Sequence, residues 1–178
     1  MSEAGTAPVL GEAAWTTLRE AARQACARAY APYSGFPVGA AALVDDGRVV
    51  TGCNVENASY GIGLCAECGV VSDLALGGGG RLLALVAVDA TGGPLMPCGR
   101  CRQLLWEHAD ASMLVAATDG PVALADLLPR AFGRDDLDRV DRSRSSSPQS
   151  RPGPRDAPAP HRAGAALPPH AVDPEDLR

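Results

Sequence analysis

Two cysteine-bearing stretches constrain the fold of this chain more than any other feature of its sequence. Cys65–Glu67 reads Cys-Ala-Glu, and Pro97–Cys101 reads Pro-Cys-Gly-Arg-Cys. Thiolates are ligands that Zn²⁺ favours, and a catalytic zinc site keeps three protein ligands so that a fourth position stays open. If each stretch opens a helix, two helix N-termini face the thiolates, and the carboxylate of Glu67 lies beside them. The three candidate zinc ligands are Cys65, Cys98 and Cys101.

The composition excludes several classes of function. The 178 residues, 46% of them hydrophobic, suffice for one domain with a core. The net charge of −5 argues against a nucleic-acid-binding surface. The sequence has neither a run of about eighteen apolar residues nor a basic N-terminal segment followed by an apolar one. We therefore expect a cytoplasmic protein that binds no nucleic acid and no membrane, and that uses its cysteines for metal rather than disulfides.

The order of helical and strand patterns predicts an α/β domain. Apolar residues at helical spacing open the domain, and Asp45–Gly47 then separates two strand-like runs that we expect to pair as a hairpin. Helices alternating with strands after this hairpin predict a three-layer α/β/α sandwich with a mixed sheet of about five strands. The expected elements lie at about 12–30, 37–44, 48–55, 65–76, 81–90, 98–108, 113–117 and 122–128.

The chain divides into three parts by composition. We expect a flexible leader at 1–11, a catalytic domain at 12–137, and a disordered tail at 138–178 that is rich in Pro, Ser, Ala and Arg. His161 and His170 lie in the tail. His108 is then the one histidine of the domain, and we expect it to act as a cation at a helix C-terminus. A zinc site must therefore be built mostly from cysteine.

Asn54 and Glu56 form a second candidate site. Side chains alternate along a strand, so the two point to the same face of the second hairpin strand. An amide beside a carboxylate suits the binding of sugar hydroxyls. A solvated loop edge is an equally good interpretation of the same pair.

Four motifs in this order resemble the three-cysteine, homotetrameric cytidine deaminases, and most of all their actinobacterial members. The likeness covers roughly residues 12 to 137 and includes a zinc-deaminase signature in its all-cysteine form. The motifs are Pro32–Ala40, Asn54–Gly61, Cys65–Glu67 and Pro97–Gln103.

The resemblance implies a function and a set of roles. It implies hydrolytic deamination of cytidine and deoxycytidine to uridine and deoxyuridine, in pyrimidine salvage, by a homotetramer with one zinc per chain. Zinc-activated hydroxide would attack C4 of the base, and Glu67 would shuttle protons to ring N3 and to the departing ammonia. The implied substrate-binding residues are Phe36 on the pyrimidine ring, Asn54 and Glu56 on the ribose, Ala66, and Phe132 lent to a neighbouring subunit's site.

Cys68 is a departure from the common family pattern, which has arginine after Cys-Ala-Glu. Three thiolates on Zn²⁺ leave a net charge of −1, which would make bound water less acidic unless a positive charge compensates. The partial positive charges of the two helix N-termini supply part of this compensation. Arg100 and Arg102 are the nearest guanidinium groups in sequence, and Arg102 is the preferred candidate.

Three alternatives stay open. Cys65-x-x-Cys68 with Cys98-x-x-Cys101 is formally a four-cysteine set, which predicts a closed, structural zinc module. A thiol oxidoreductase could use Cys98 and Cys101 alone. Within the deaminases, a deaminase of cytosine-nucleoside antibiotics would share the zinc motif and differ in its pocket.

Overall fold

The sheet of this computed structural model, which describes residues 10–145, is organised around a hairpin. Strands β1 (Val38–Val44) and β2 (Val49–Cys53) pair antiparallel, as the sequence predicts. The turn between them contains Gly47 at φ +89°, a conformation that residues with a side chain rarely adopt. The glycine of the Asp-Gly pair therefore permits the tight connection.

Three further strands extend the sheet from β1. Strand β3 (Leu82–Asp89) is antiparallel to β1, β4 (Ala109–Val115) is parallel to β3, and β5 (Val122–Ala123) is antiparallel to β4. The order across the sheet is β2-β1-β3-β4-β5. This confirms a mixed sheet of five strands, although β4 begins earlier than the sequence pattern predicts.

Five α-helices complete the described part of the chain: α1 (Glu12–Cys26), α2 (Ala66–Leu76), α3 (Gly99–His108), α4 (Leu124–Leu127) and α5 (Arg134–Ser145). Helix α1 ends before the predicted residue 30. His108 ends α3 as expected, but burial lowers its pKa, which disfavours the cation predicted there.

Helices cover both faces of the sheet. Because side chains alternate along each strand, neighbouring residues enter different cores. Trp15 and Leu18 of α1 pack with Ala41 of β1 on one face. On the other face, Val70 of α2 packs with Ala42 of β1, together with apolar residues of α3 and α4. The predicted three-layer α/β/α sandwich is therefore confirmed.

The C-terminal boundary predicted at residue 138 falls inside α5. Acidic residues in the first turn suit a helix N-terminus, and the Asp136 carboxylate accepts a hydrogen bond from Gly133 N at 3.0 Å. An ion pair between Asp136 and Arg139 lies within the same helix. Residues 1–9 of the leader and 146–178 of the tail lie outside the described residues. Among residues 10–145, no helix is both long enough and apolar enough to cross a membrane.

Candidate metal centre and adjoining cavity

The three predicted zinc ligands come together where two helices begin. Cys65 is the N-cap residue of α2, Cys98 is the N-cap residue of α3, and Cys101 lies in the first turn of α3. All three Sγ atoms lie within 4.8 Å of one another, and the Cys65 and Cys98 sulfurs are 3.9 Å apart. Residues distant in sequence thus form one cluster.

The donor set fits zinc. Tetrahedral coordination with Zn–S bonds of about 2.3 Å would place ligand sulfurs about 3.8 Å apart. The 3.9 Å separation of Cys65 and Cys98 lies close to that spacing. Within residues 10–145 this metal-binding cluster has three members, and Cys68 is not one of them. This geometry does not favour the closed four-cysteine module.

The helix N-termini affect the three thiols differently. Hydrogen bonds from the backbone N–H groups of Cys101 and Arg100 lower the pKa of the Cys98 thiol. Burial raises the pKa of the Cys65 and Cys101 thiols, and the carboxylate of Glu67 raises that of Cys101 further. Binding a metal must therefore displace protons from the buried thiols.

Glu67 lies beside this cluster and is shielded from solvent. Glu67 is 5% exposed, and its carboxylate lies close enough to the Cys101 thiol to raise the pKa of that thiol. Glu67 also lines a cavity of about 290 Å³, together with Ala66 and with Cys65 and Cys98. A carboxylate and a thiol cluster thus meet at one cavity.

Asn54 and Glu56 line the same cavity, just beyond the end of β2. Both residues lie beyond the last residue of the strand, Cys53, so the predicted strand alternation does not apply to them, and their roles stay predictions. Apolar groups supply much of the remaining wall; these are Val38, Val55, Leu64, Ala87, Leu95 and Met96.

Both polar side chains also bind the segment that leads into β1, which the sequence pattern does not reveal. Asn54 Oδ1 accepts a hydrogen bond from Val38 N at 2.8 Å, and Asn54 Nδ2 donates one to Phe36 O at 3.0 Å. Glu56 Oε2 accepts from Tyr33 N at 2.8 Å. The Ser34 hydroxyl and Tyr33 N–H lower the pKa of Glu56, so the carboxylate is held in its ionised form.

The two predicted aromatic contacts to substrate lie outside this cavity's lining. Phe36 is 50% exposed and Phe132 is 60% exposed. Gln103 Nε2 donates a hydrogen bond to Phe132 O at 2.9 Å, which ties this residue to helix α3. Their proposed roles remain predictions.

The two candidate arginines differ in their contacts. Arg102 donates to backbone oxygens, from Nε to Pro97 O at 2.9 Å and from Nη1 to Leu127 O at 2.8 Å. Arg100 Nη2 lies 3.2 Å from Cys68 Sγ. The preference for Arg102 is therefore not supported, because Arg100 is the one of the two that contacts a thiol.

Comparison with known proteins identifies the family. Residues 15–117 match the family model described as the cytidine and deoxycytidylate deaminase zinc-binding region. The chain belongs to this deaminase family. The cytidine deaminase of Mycobacterium tuberculosis strain H37Rv is 65% identical over 125 residues, which are 70% of this chain and 94% of that protein.

Solved structures of family members share the fold. The crystal structure of cytidine deaminase from Mycobacterium tuberculosis gives a TM-score of 0.66 at 65% identity, covering 67% of this chain and 97% of that one. The crystal structure of cytidine deaminase from Burkholderia pseudomallei gives a TM-score of 0.59 at 44% identity. The match covers 66% of this chain and 98% of that one. These relatives confirm the resemblance and the assignment as an enzyme. They favour neither an antibiotic deaminase nor a thiol oxidoreductase.

Proposed function

We propose that this deaminase hydrolyses cytidine and deoxycytidine to uridine and deoxyuridine, with one Zn²⁺ per chain held by Cys65, Cys98 and Cys101. One observation carries the proposal: the buried carboxylate of Glu67 lies at the same cavity as the three-thiol cluster. The family and the names of the relatives support the substrate class.

Zinc would activate the water, and Glu67 would transfer the protons. When bound, zinc is a Lewis acid that lowers the pKa of water to about 7, so that a nucleophile forms at neutral pH. Glu67 accepts the proton of the attacking water and delivers it to N3 of the base. As the C4–N bond breaks, the same carboxylate takes the remaining proton from the hydroxyl group on C4 and passes it to the departing amino group. The water oxygen stays on C4 as the carbonyl, and ammonia leaves.

The other end of the cavity would hold the sugar. Asn54 and Glu56 offer an amide and an ionised carboxylate that can bind ribose hydroxyls. They also hold the segment that carries Phe36, which we assign to the face of the pyrimidine ring. Ala66 lies between the ligand Cys65 and Glu67 and would contact the base. A cavity of about 290 Å³ on a chain of net charge −5 suits a free nucleoside better than a polynucleotide.

We further propose a cytoplasmic homotetramer that acts in pyrimidine salvage and closes each site with Phe132 from a neighbouring chain. Large apolar side chains beside the cavity support association, because such groups are commonly covered in an interface. Those at least half exposed in this region are Tyr30, Tyr33, Phe36, Tyr60, Ile62 and Leu64.

The decisive experiment replaces Glu67 by Gln. We expect zinc content to stay unchanged while turnover of cytidine falls roughly 10²- to 10⁴-fold, because the ligands remain and the proton carrier is lost. The exposed carboxylate of Glu20 on α1 provides the matched control Glu20→Gln, which should keep full activity. Retained turnover in zinc-replete Glu67→Gln would contradict the proposal.

The same preparation separates the candidate substrates. We expect turnover of cytidine and deoxycytidine, slower turnover of a cytosine-nucleoside antibiotic, and none of cytosines in single-stranded DNA. Preference for the antibiotic, or measurable activity on the DNA, would change the substrate assignment.

A further inference from the structure

A contact between α2 and α3 lies next to the thiol cluster. Arg100, in the first turn of α3, donates from Nη2 to Cys68 Sγ at 3.2 Å and to Gly63 O at 3.4 Å. Cys68 is one helical turn beyond Cys65, and its N–H donates to Cys65 O at 3.0 Å. The guanidinium therefore spans from the helix that carries two of the thiols to the helix that carries the third.

The thiol cluster carries negative charge that the nearby Arg100 guanidinium can offset. Three thiolates on Zn²⁺ leave one negative charge in excess, and the nearby Glu67 carboxylate adds another. Arg100 lies between the ligands Cys98 and Cys101 in sequence, and its guanidinium reaches Cys68 on α2, so its positive charge lies between the two helices that carry the thiols. Arg102 is held by the oxygens of Pro97 and Leu127 instead.

We propose that Arg100 is a positioning residue that offsets the negative charge of the thiolate site, and that Cys68 holds its guanidinium in place rather than binding zinc. A positive charge close to an anionic metal centre stabilises it by Coulomb attraction. The side chain that Cys68 replaces in the common family pattern is an arginine on α2. Here the positive charge comes from α3. The inference rests on the proposed zinc site.

Zinc transfer to a coloured chelator tests this proposal without using activity. The zinc content of the unsubstituted protein is measured first, and a protein without zinc would refute the proposed site itself. With zinc present, Arg100→Gln should release it roughly two- to tenfold faster, because a solvent-exposed positive charge near the anionic centre is lost. Arg100→Lys should restore part of the difference, because it keeps the charge but not the planar fork. Arg19→Gln, on the exposed face of α1, should release zinc at the unsubstituted rate.

A double substitution tests the part played by Cys68. Cys68→Ala should also speed zinc release, but it should add little in an Arg100→Gln background, because both changes remove the same contact. Equal release from Arg100→Gln and the unsubstituted protein would overturn the proposal. So would equal rates for Arg100→Lys and Arg100→Gln, which would show that charge has no role. Complete loss of zinc from Cys68→Ala alone would make Cys68 a ligand.

Discussion

Gly52 of β2 and Gly69 of α2 meet backbone to backbone. A Cβ atom built on Gly69 would lie 2.8 Å from Gly52 Cα, and one built on Gly52 would lie 2.7 Å from Gly69 Cα and 2.6 Å from Val70 N. Real Cβ atoms do not approach other atoms this closely. The absence of side chains at both positions therefore allows α2 to lie against the hairpin, with Cys65 and Glu67 at its first turn.

Gly52→Ala should therefore destabilise the protein and disturb the metal centre together. The new methyl group meets backbone, which cannot rotate away, so α2 must shift; such overpacking costs about 1–3 kcal/mol or more. We expect a lower melting temperature and a reduced zinc content. Gly61→Ala is the control, since no atom lies within 4 Å of its Cβ position and its φ is not positive. Equal melting temperatures for the two variants would contradict this explanation.

The parts of the site that the sequence predicts are those set by local rules. The Asp-Gly turn and the helix starts at Cys65 and Cys98 follow from short-range geometry. The family resemblance then supplies chemical roles for the same residues. The three cysteines that these local features select as candidate ligands form one cluster in the structure.

The parts of the site that the sequence does not predict depend on how helices and strands are oriented in three dimensions. Arg100 and Arg102 both lie in the first turns of α3, and only the rotation of that helix decides which one reaches Cys68. The hydrogen bonds that Asn54 donates to Phe36 and accepts from Val38 likewise depend on the path of the chain that leads into β1. The spacing of residues in the sequence reveals neither the rotation of a helix nor the path of a loop.

Glu56→Gln should lower the stability of the folded protein by an amount that depends on pH. The folded-state pKa of Glu56 lies below its ordinary value of 4.5, because Ser34 and Tyr33 donate to its ionised form. Its stabilising contribution is therefore present above about pH 4.5 and is lost as pH falls through the lower, folded-state pKa. We expect the difference in melting temperature between variant and unsubstituted protein to be larger at pH 7 than below pH 4. A difference that stayed constant across this range would exclude the carboxylate charge as its source.

Cys68→Ser should keep one zinc per chain and most of the activity. The serine hydroxyl can still accept a hydrogen bond from Arg100, and the three-thiol cluster does not include this position. Metal analysis of the purified variant, with Cys98→Ser as the comparison expected to lose zinc, checks the prediction. Loss of zinc from both variants would mean that four cysteines bind it.

Phe132→Ala should raise KM for cytidine without loss of zinc. Phe132 is 60% exposed in the single chain and does not line its cavity, so its contribution would come from an adjacent subunit. Losing one aromatic contact of about 0.5–1.5 kcal/mol corresponds to roughly a two- to tenfold increase in KM. Steady-state kinetics, with zinc content measured on the same sample, provide the test.

Co-expression of Phe132→Ala with Glu67→Gln decides which chain the aromatic side chain serves. If the chain forms the proposed homotetramer, a Phe132→Ala subunit in a mixed assembly keeps its own Glu67 and can receive the phenylalanine of a Glu67→Gln neighbour. We therefore expect some active sites to regain the low KM of the unsubstituted protein, giving two kinetic populations. The two variants purified separately and combined without subunit exchange should show only the raised KM. If Phe132 instead closed the site of its own chain, every active subunit in the mixed assembly would lack it, and the low-KM population would not appear.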